Sequence, residues 1–204
     1  MRTGNRRSGL TAAVSAIPLL LLLTGSALAG PLADAATKAE ALAASGDTRG
    51  AHDLLRSATS TFSATLPFSI GTAVFVAAAP VGYAMYEPKP QPVFKPGEAL
   101  VSYVEPIGLT WKPADVAGKV QTHFTVDLDI LSASGETLAN QKAFGNFTFT
   151  SFLRNQEIYA TLTTDVSGAA AGDYILRFHF NDLNSGNSAS VDQKFTIAAA
   201  SPAP

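Results

Sequence analysis

The 204-residue sequence predicts a mainly β fold, an antiparallel sandwich preceded by a short helical hairpin. Three observations lead there. From Glu98 to Ile197, short segments alternate apolar and polar residues, and clusters of Gly, Asn, Asp and Ser punctuate them as turns. In the clearest segment Val120, Thr122, Phe124, Val126, Leu128 and Ile130 share one face of a strand, while Gln121, His123, Thr125, Asp127 and Asp129 share the other. A period of two means one buried face and one wet face. Residues 31 to 62 instead carry Ala, Leu and charged residues at helical spacing.

In chain order, residues 1–29 read as an export signal. Arg2, Arg6 and Arg7 form a positive start, an apolar run follows from Ile17 to Leu23, and Ala27, Leu28 and Ala29 supply a small-x-small cleavage pattern. Cleavage there starts the mature chain at Gly30 and places it in the periplasm or outside the cell. The Arg6 and Arg7 pair raises twin-arginine export, but Gly9 stands where that signal has a bulky apolar residue, so general export is the simpler reading. Removing the three leader arginines from 14 Lys and Arg leaves 11 against 16 Asp and Glu, a net charge of −5. Such mild acidity argues against nucleic acid or an anionic membrane as partner. No cysteine is present, so an exported chain of this composition rests on its core without disulfides. The apolar stretch from Leu66 to Tyr83 is broken by Pro67 and Pro80 and carries β-branched residues, so it reads as strand rather than membrane span.

The hairpin occupies 30–64. Leu32, Ala35, Ala36, Ala39, Leu42 and Ala43 follow helical spacing, as do Ala51, Leu54, Leu55, Ala58 and Phe62. Gly46 suits the left-handed end of the first helix, and Asp47 suits the N-cap of the second. The string "AEALAASGDTRGAHDLLRSAT" resembles one tetratricopeptide-type hairpin; a single copy cannot build the continuous core of a repeat array, so a packed or spacer hairpin is expected.

Strands are expected near Thr72–Ala78, Ala99–Val104, Val120–Leu131, Glu136–Ala143, Ile158–Thr164, Tyr174–Asn181 and Ala189–Ile197, within a sandwich domain over 65–198 and ahead of a disordered tail at 199–204. Seven strands suit an immunoglobulin-like sandwich. Tyr174, Leu176, Phe178 and Phe180 form one inward set. Ala189, Val191, Phe195 and Ile197 form another, with Gln193 needing a partner if buried. Tyr174, just after Gly172, matches a tyrosine corner, whose phenol bonds upstream backbone at a crossover.

Together with the hairpin, the strings "VFKPGEALVSYVEPIGLTW" and "AAGDYILRFHFNDLNSGNSASVDQKFTI" resemble a group of uncharacterised exported bacterial proteins with a helical hairpin followed by an immunoglobulin-like β-sandwich. The resemblance implies a sandwich in the periplasm or outside the cell and brings no activity, ligand or catalytic residue with it.

Chemistry-bearing patterns are sparse. His123, Asp127 and Asp129 share an outward face with Arg177 and His179 of the sixth expected strand, and His123, Asp127 and His179 are conceivable ligands for a divalent metal. A mixed-charge solvated sheet face explains the same residues more simply, with Asp127 or Asp129 pairing Arg177, and no metal or other cofactor is expected. No G-x-S-x-G elbow occurs, and the three histidines, at 52, 123 and 179, lie in unrelated settings, so a hydrolase or metal-dependent enzyme stands as the alternative to a non-enzymatic binding or assembly module. Tyr83, Tyr86, Tyr103 and Trp111 lie on or beside loops, and the segment from Glu105 to Gly118 is long for a hairpin connection. Of these, Tyr103 and Trp111 with Glu105 form the candidate recognition patch, for an envelope protein or a glycan. A core role for Trp111 is the plainer reading, and Phe144, Phe147, Phe149 and Phe152 are expected in core or inter-element packing.

Overall fold

The computed structural model describes residues 30–200. The expected export signal at 1–29 and positions 201–204 of the expected tail lie outside the described residues. Two helices lead, α1 (Pro31–Ala44) and α2 (Thr48–Ser63). Gly46 takes φ +89° and ends α1, with its N–H donating to the Ala43 carbonyl at 3.0 Å. Asp47 caps α2, its Oδ1 accepting from the Gly50 N–H at 2.9 Å. Ala39 and Ala51 are the buried residues of the pair, whereas Leu32, Leu55 and Phe62 remain exposed. No helix among the described residues is long and apolar enough to cross a membrane.

Nine strands follow in two sheets. The smaller sheet orders β1 (Ser69–Phe75), β3 (Leu100–Ile107) and β7 (Ala160–Thr164) antiparallel. The larger runs β2 (Val93–Phe94), β9 (Ser188–Ile197), β8 (Gly172–Asp182), β5 (Val120–Ser132) and β4 (Lys112–Pro113), with β6 (Thr137–Ser151) also on β5. Its pairs are antiparallel except β2 on β9. One core joins the sheets: Phe75, Leu100, Val104 and Leu162 from the small one meet Phe124, Val126, Leu176, Phe178 and Phe180 from the large one. The mainly β fold class with two leading helices stands.

The inward sets fall where period two puts them. Phe124, Leu176, Phe178 and Phe180 are fully buried, and the Tyr174 phenol donates to the Ala170 carbonyl at 2.8 Å, the bond expected of a tyrosine corner. Gln193 is buried, and its Oε1 accepts no hydrogen bond from the protein. Three differences have physical causes. The two-residue strands β2 and β4 are too short to show a period. β1 begins at Ser69 because pairing with Ile107 and Pro106 precedes the bulge at Gly71 and Thr72. β6 continues eight residues beyond the expected end at Ala143, since Ala143 adopts φ 49° in a bulge opposite Asp127 and alternation resumes through Phe147 and Phe149. Phe144, Phe147 and Phe149 pack on the core, but Phe152, beyond the strand, is 73% exposed.

Candidate functional site

On the outer face of the small sheet, β3 presents Val101, Tyr103 and Glu105 away from the core that Leu100 and Val104 enter. Tyr103 lies opposite Val74 of β1 and Thr161 of β7. An arm at 76–89 folds over this face. It is zipped at its base, where the Ala77 N–H donates to the Glu87 carbonyl at 2.9 Å and the Lys89 N–H to the Phe75 carbonyl at 2.8 Å. Lys89 Nζ also pairs with Glu98 at 2.8 Å and sits 4.6 Å from the Phe94 ring centre. The arm's tip turns back at Val81 to Met85, with the Val81 N–H donating to the Met85 carbonyl at 3.0 Å.

Tyr103 holds that tip. Its ring is fully buried between Tyr86, 4.2 Å away, and Tyr159, 5.2 Å away. The phenol donates to Glu105 Oε1 at 2.6 Å and accepts the Ala84 N–H at 2.8 Å. Ala84 needs such a hold, because it sits at φ 55°, where an L side chain is strained. Burial, then the hydrogen bond to Glu105, pushes the Tyr103 phenol far above its ordinary pKa, so it remains a neutral donor at any physiological pH. Burial, then the charges of Glu105 and Glu157, also raises the Tyr83 phenol. Four of the five tyrosines thus gather around one carboxylate. Above them the tip leaves Val81 at 81%, Met85 at 59% and Tyr83 at 36% exposure. Tyr159 was the member that sequence reasoning missed; its place two residues before the outward Thr161 of β7 was the available signal.

The structure separates the rest of the expected patch. Trp111 lies beyond the end of β3, half-buried against the core, where it lines a small cavity of about 110 Å³ with α2 and Arg154. Tyr103 and Glu105 belong together; Trp111 belongs to a different surface.

The outward face of the large sheet is a cross-strand network. Asp127 faces the β6 bulge and accepts from the Ala143 N–H at 2.8 Å, Lys142 Nζ at 2.9 Å and Asn181 Nδ2 at 3.3 Å. Its burial pulls the pKa up, but these donors outweigh that and hold it below the usual carboxylate value. His179 bridges Ser190 at 2.7 Å and Asp129 at 2.9 Å, and His123 meets Asn146 at 2.7 Å. In register His179 lies opposite Asp127, four residues along β5 from His123, or about 13 Å. Arg177 is opposite Asp129 but forks onto Asp192 of β9 at 2.6 and 2.7 Å. Among the described residues no three His, Asp or Glu side chains gather in a group able to hold a metal ion.

No family model matches this chain, and no curated protein does. Among solved structures, a conjugative transposon lipoprotein from Bacteroides eggerthii DSM 20697 is similar over 64% of this chain and 98% of its own, with 14% identity and a TM-score of 0.28. A likeness of that size carries no inference about this chain.

Proposed function

We propose that the chain is an exported, non-enzymatic contact module of the bacterial envelope whose recognition element is the 76–89 arm. One observation carries this reading: an apolar tip of Val81, Tyr83 and Met85 stands in solvent while a buried phenol and carboxylate hold the backbone beneath it in a strained conformation. Exposed apolar clusters of this kind mark contact surfaces, and Tyr and Met are favoured at interface centres. Strain retained beneath an exposed tip fits pre-organisation for binding, because a tip already ordered loses less entropy on association. Glu105 and Glu157 near Tyr83, with Glu87 at the arm's base, set the partner's character. They repel an anionic lipid surface and suit a protein pocket with an apolar floor and a basic rim.

The double variant Val81→Ser/Met85→Ser tests the reading. Both side chains are exposed, so the midpoint of urea unfolding should stay within about 0.5 kcal/mol of wild type. The complex that the exported protein forms in envelope extract should disappear on a native gel. A variant that keeps that complex contradicts the assignment.

A further inference from the structure

A second, chemically different surface lies between α2 and the 152–157 segment that leaves β6. Cavities of about 520 and 410 Å³ adjoin there, both walled by Arg56 and Arg154, and the 110 Å³ cavity of Trp111 shares Arg154 with them. Each of the larger two falls in the size range of small-ligand sites, roughly 300 to 1,000 Å³. Arg56 and Arg154, with Lys119 at the rim, stand against Asp53 and Glu157 in the lining, a small positive excess on an acidic molecule. Arg56 is partly engaged by Asp53 at 3.1 Å, but Arg154 pairs with no carboxylate among the described residues, and Lys119 Nζ stands 5.0 Å from the ring centre of Phe152 at the rim. Phe152, 73% exposed, is the most exposed aromatic residue of the exposed apolar set and lines the larger cavity.

We propose that this cleft binds an acidic polysaccharide, with sugar carboxylates on Arg154 and Arg56 and a pyranose face on Phe152. A guanidinium fork matches a carboxylate in two parallel hydrogen bonds. An exposed ring offers a flat apolar platform to the C–H face of a sugar. Asn155 and Gln156 line the adjoining cavity; their amide nitrogens donate to Ser151 Oγ and the Arg154 carbonyl, and each amide has further hydrogen-bonding capacity for a sugar hydroxyl. The wall also disfavours an extended acidic peptide. Recognition of that kind uses an open strand edge, whereas 152–157 is irregular and the Arg154 carbonyl already accepts from Ser60 Oγ at 3.4 Å and Gln156 Nε2 at 3.1 Å. The Gln156 bond, two residues along, holds the backbone from which Arg154 projects. The cleft shares Glu157 with the surroundings of Tyr83 but none of the residues assigned to the ligand here, so each assignment is tested by its own variants.

The chain's single tryptophan, Trp111, lies at the narrow end of the cleft and reports on it. Titration of the exported protein with polygalacturonate should change Trp111 emission saturably and release heat in a parallel calorimetric titration, which registers a site that is silent in fluorescence. Neutral dextran should produce neither, and poly-L-glutamate should bind at least about tenfold more weakly. Arg154→Gln and Phe152→Ala should each weaken polygalacturonate binding about tenfold or more, with the urea midpoint unchanged because both side chains are exposed. Lys119→Gln should weaken it less and reduce its salt dependence. Absence of saturable binding, poly-L-glutamate binding as tight as polygalacturonate, or full affinity in both Arg154→Gln and Phe152→Ala overturns the proposal.

Discussion

Tyr103 shows how one side chain joins fold to function. Its alternation on β3 is readable, since Val101, Tyr103 and Glu105 fall outward while Leu100 and Val104 fall inward. That an outward tyrosine is nonetheless buried was not readable, because the arm covering it comes from residues some 20 positions earlier, and local periodicity carries no information about what lies over a sheet. Tyr103→Phe removes the partner of both the Ala84 N–H and the Glu105 carboxylate. It should cost about 1 to 3 kcal/mol in urea unfolding and speed amide exchange at Ala84. Thr122 is the opposite case: it is fully buried and its hydroxyl has no protein partner. Thr122→Val keeps the shape and removes a desolvated hydroxyl, so it should raise stability by about 1 kcal/mol. Asp127, one of the conceivable metal ligands, instead satisfies the β6 bulge. A folded-state pKa held below the unfolded value gives stability that is complete above about pH 4 and lost as pH falls through the folded value. The stability gap between wild type and Asp127→Asn should therefore narrow as unfolding is measured from pH 5 down to pH 2; a constant gap contradicts this role.

At the scale of elements, what was legible followed period and turn chemistry. β5, β8 and β9 announced their inward faces, and Gly46 with Asp47 announced the break between helices. β6 was read short because Ala143 and Gly145 look like an ending, although Asn146, Thr148 and Thr150 outside Phe147 and Phe149 repeat the alternation. A bulge hides continuity by shifting the phase of the pattern. The link from β3 towards Trp111 depends on Gly108, at φ +77°, where an added Cβ would stand 2.8 Å from the Pro67 carbonyl oxygen and 3.0 Å from that of Leu66. Backbone on both contacts leaves no soft neighbour to yield. Gly108→Ala should cost about 2 kcal/mol or more, read from the urea midpoint, and a neutral result would show that this turn repacks freely.

Over the whole molecule, the sandwich carries the common core, and the helical hairpin meets it mainly along the cleft beside Arg154. The Ser60 to Arg154 hydrogen bond there is long and exposed. A protein lacking 30–64 should unfold cooperatively at nearly the urea concentration of the intact chain. The candidate patch divides in the same way: Tyr103 and Glu105 support the arm, while Trp111 lines the small cavity at the narrow end of the cleft. Spacing along the sequence could not separate them, since β3 ends at Ile107 and the turn at Gly108 carries Trp111 away from the face that holds Tyr103 and Glu105.

The central claim is that the arm's tip, rather than the sheet face, meets a partner. A photo-crosslinking residue placed at Val81, irradiated in intact cells that produce the full chain, tests it most directly against the same residue at Thr148, which is exposed on β6. The account predicts one discrete adduct from position 81, weakened by Tyr103→Phe, and none from position 148. Equal labelling from both positions, or an adduct from 148 alone, would contradict it.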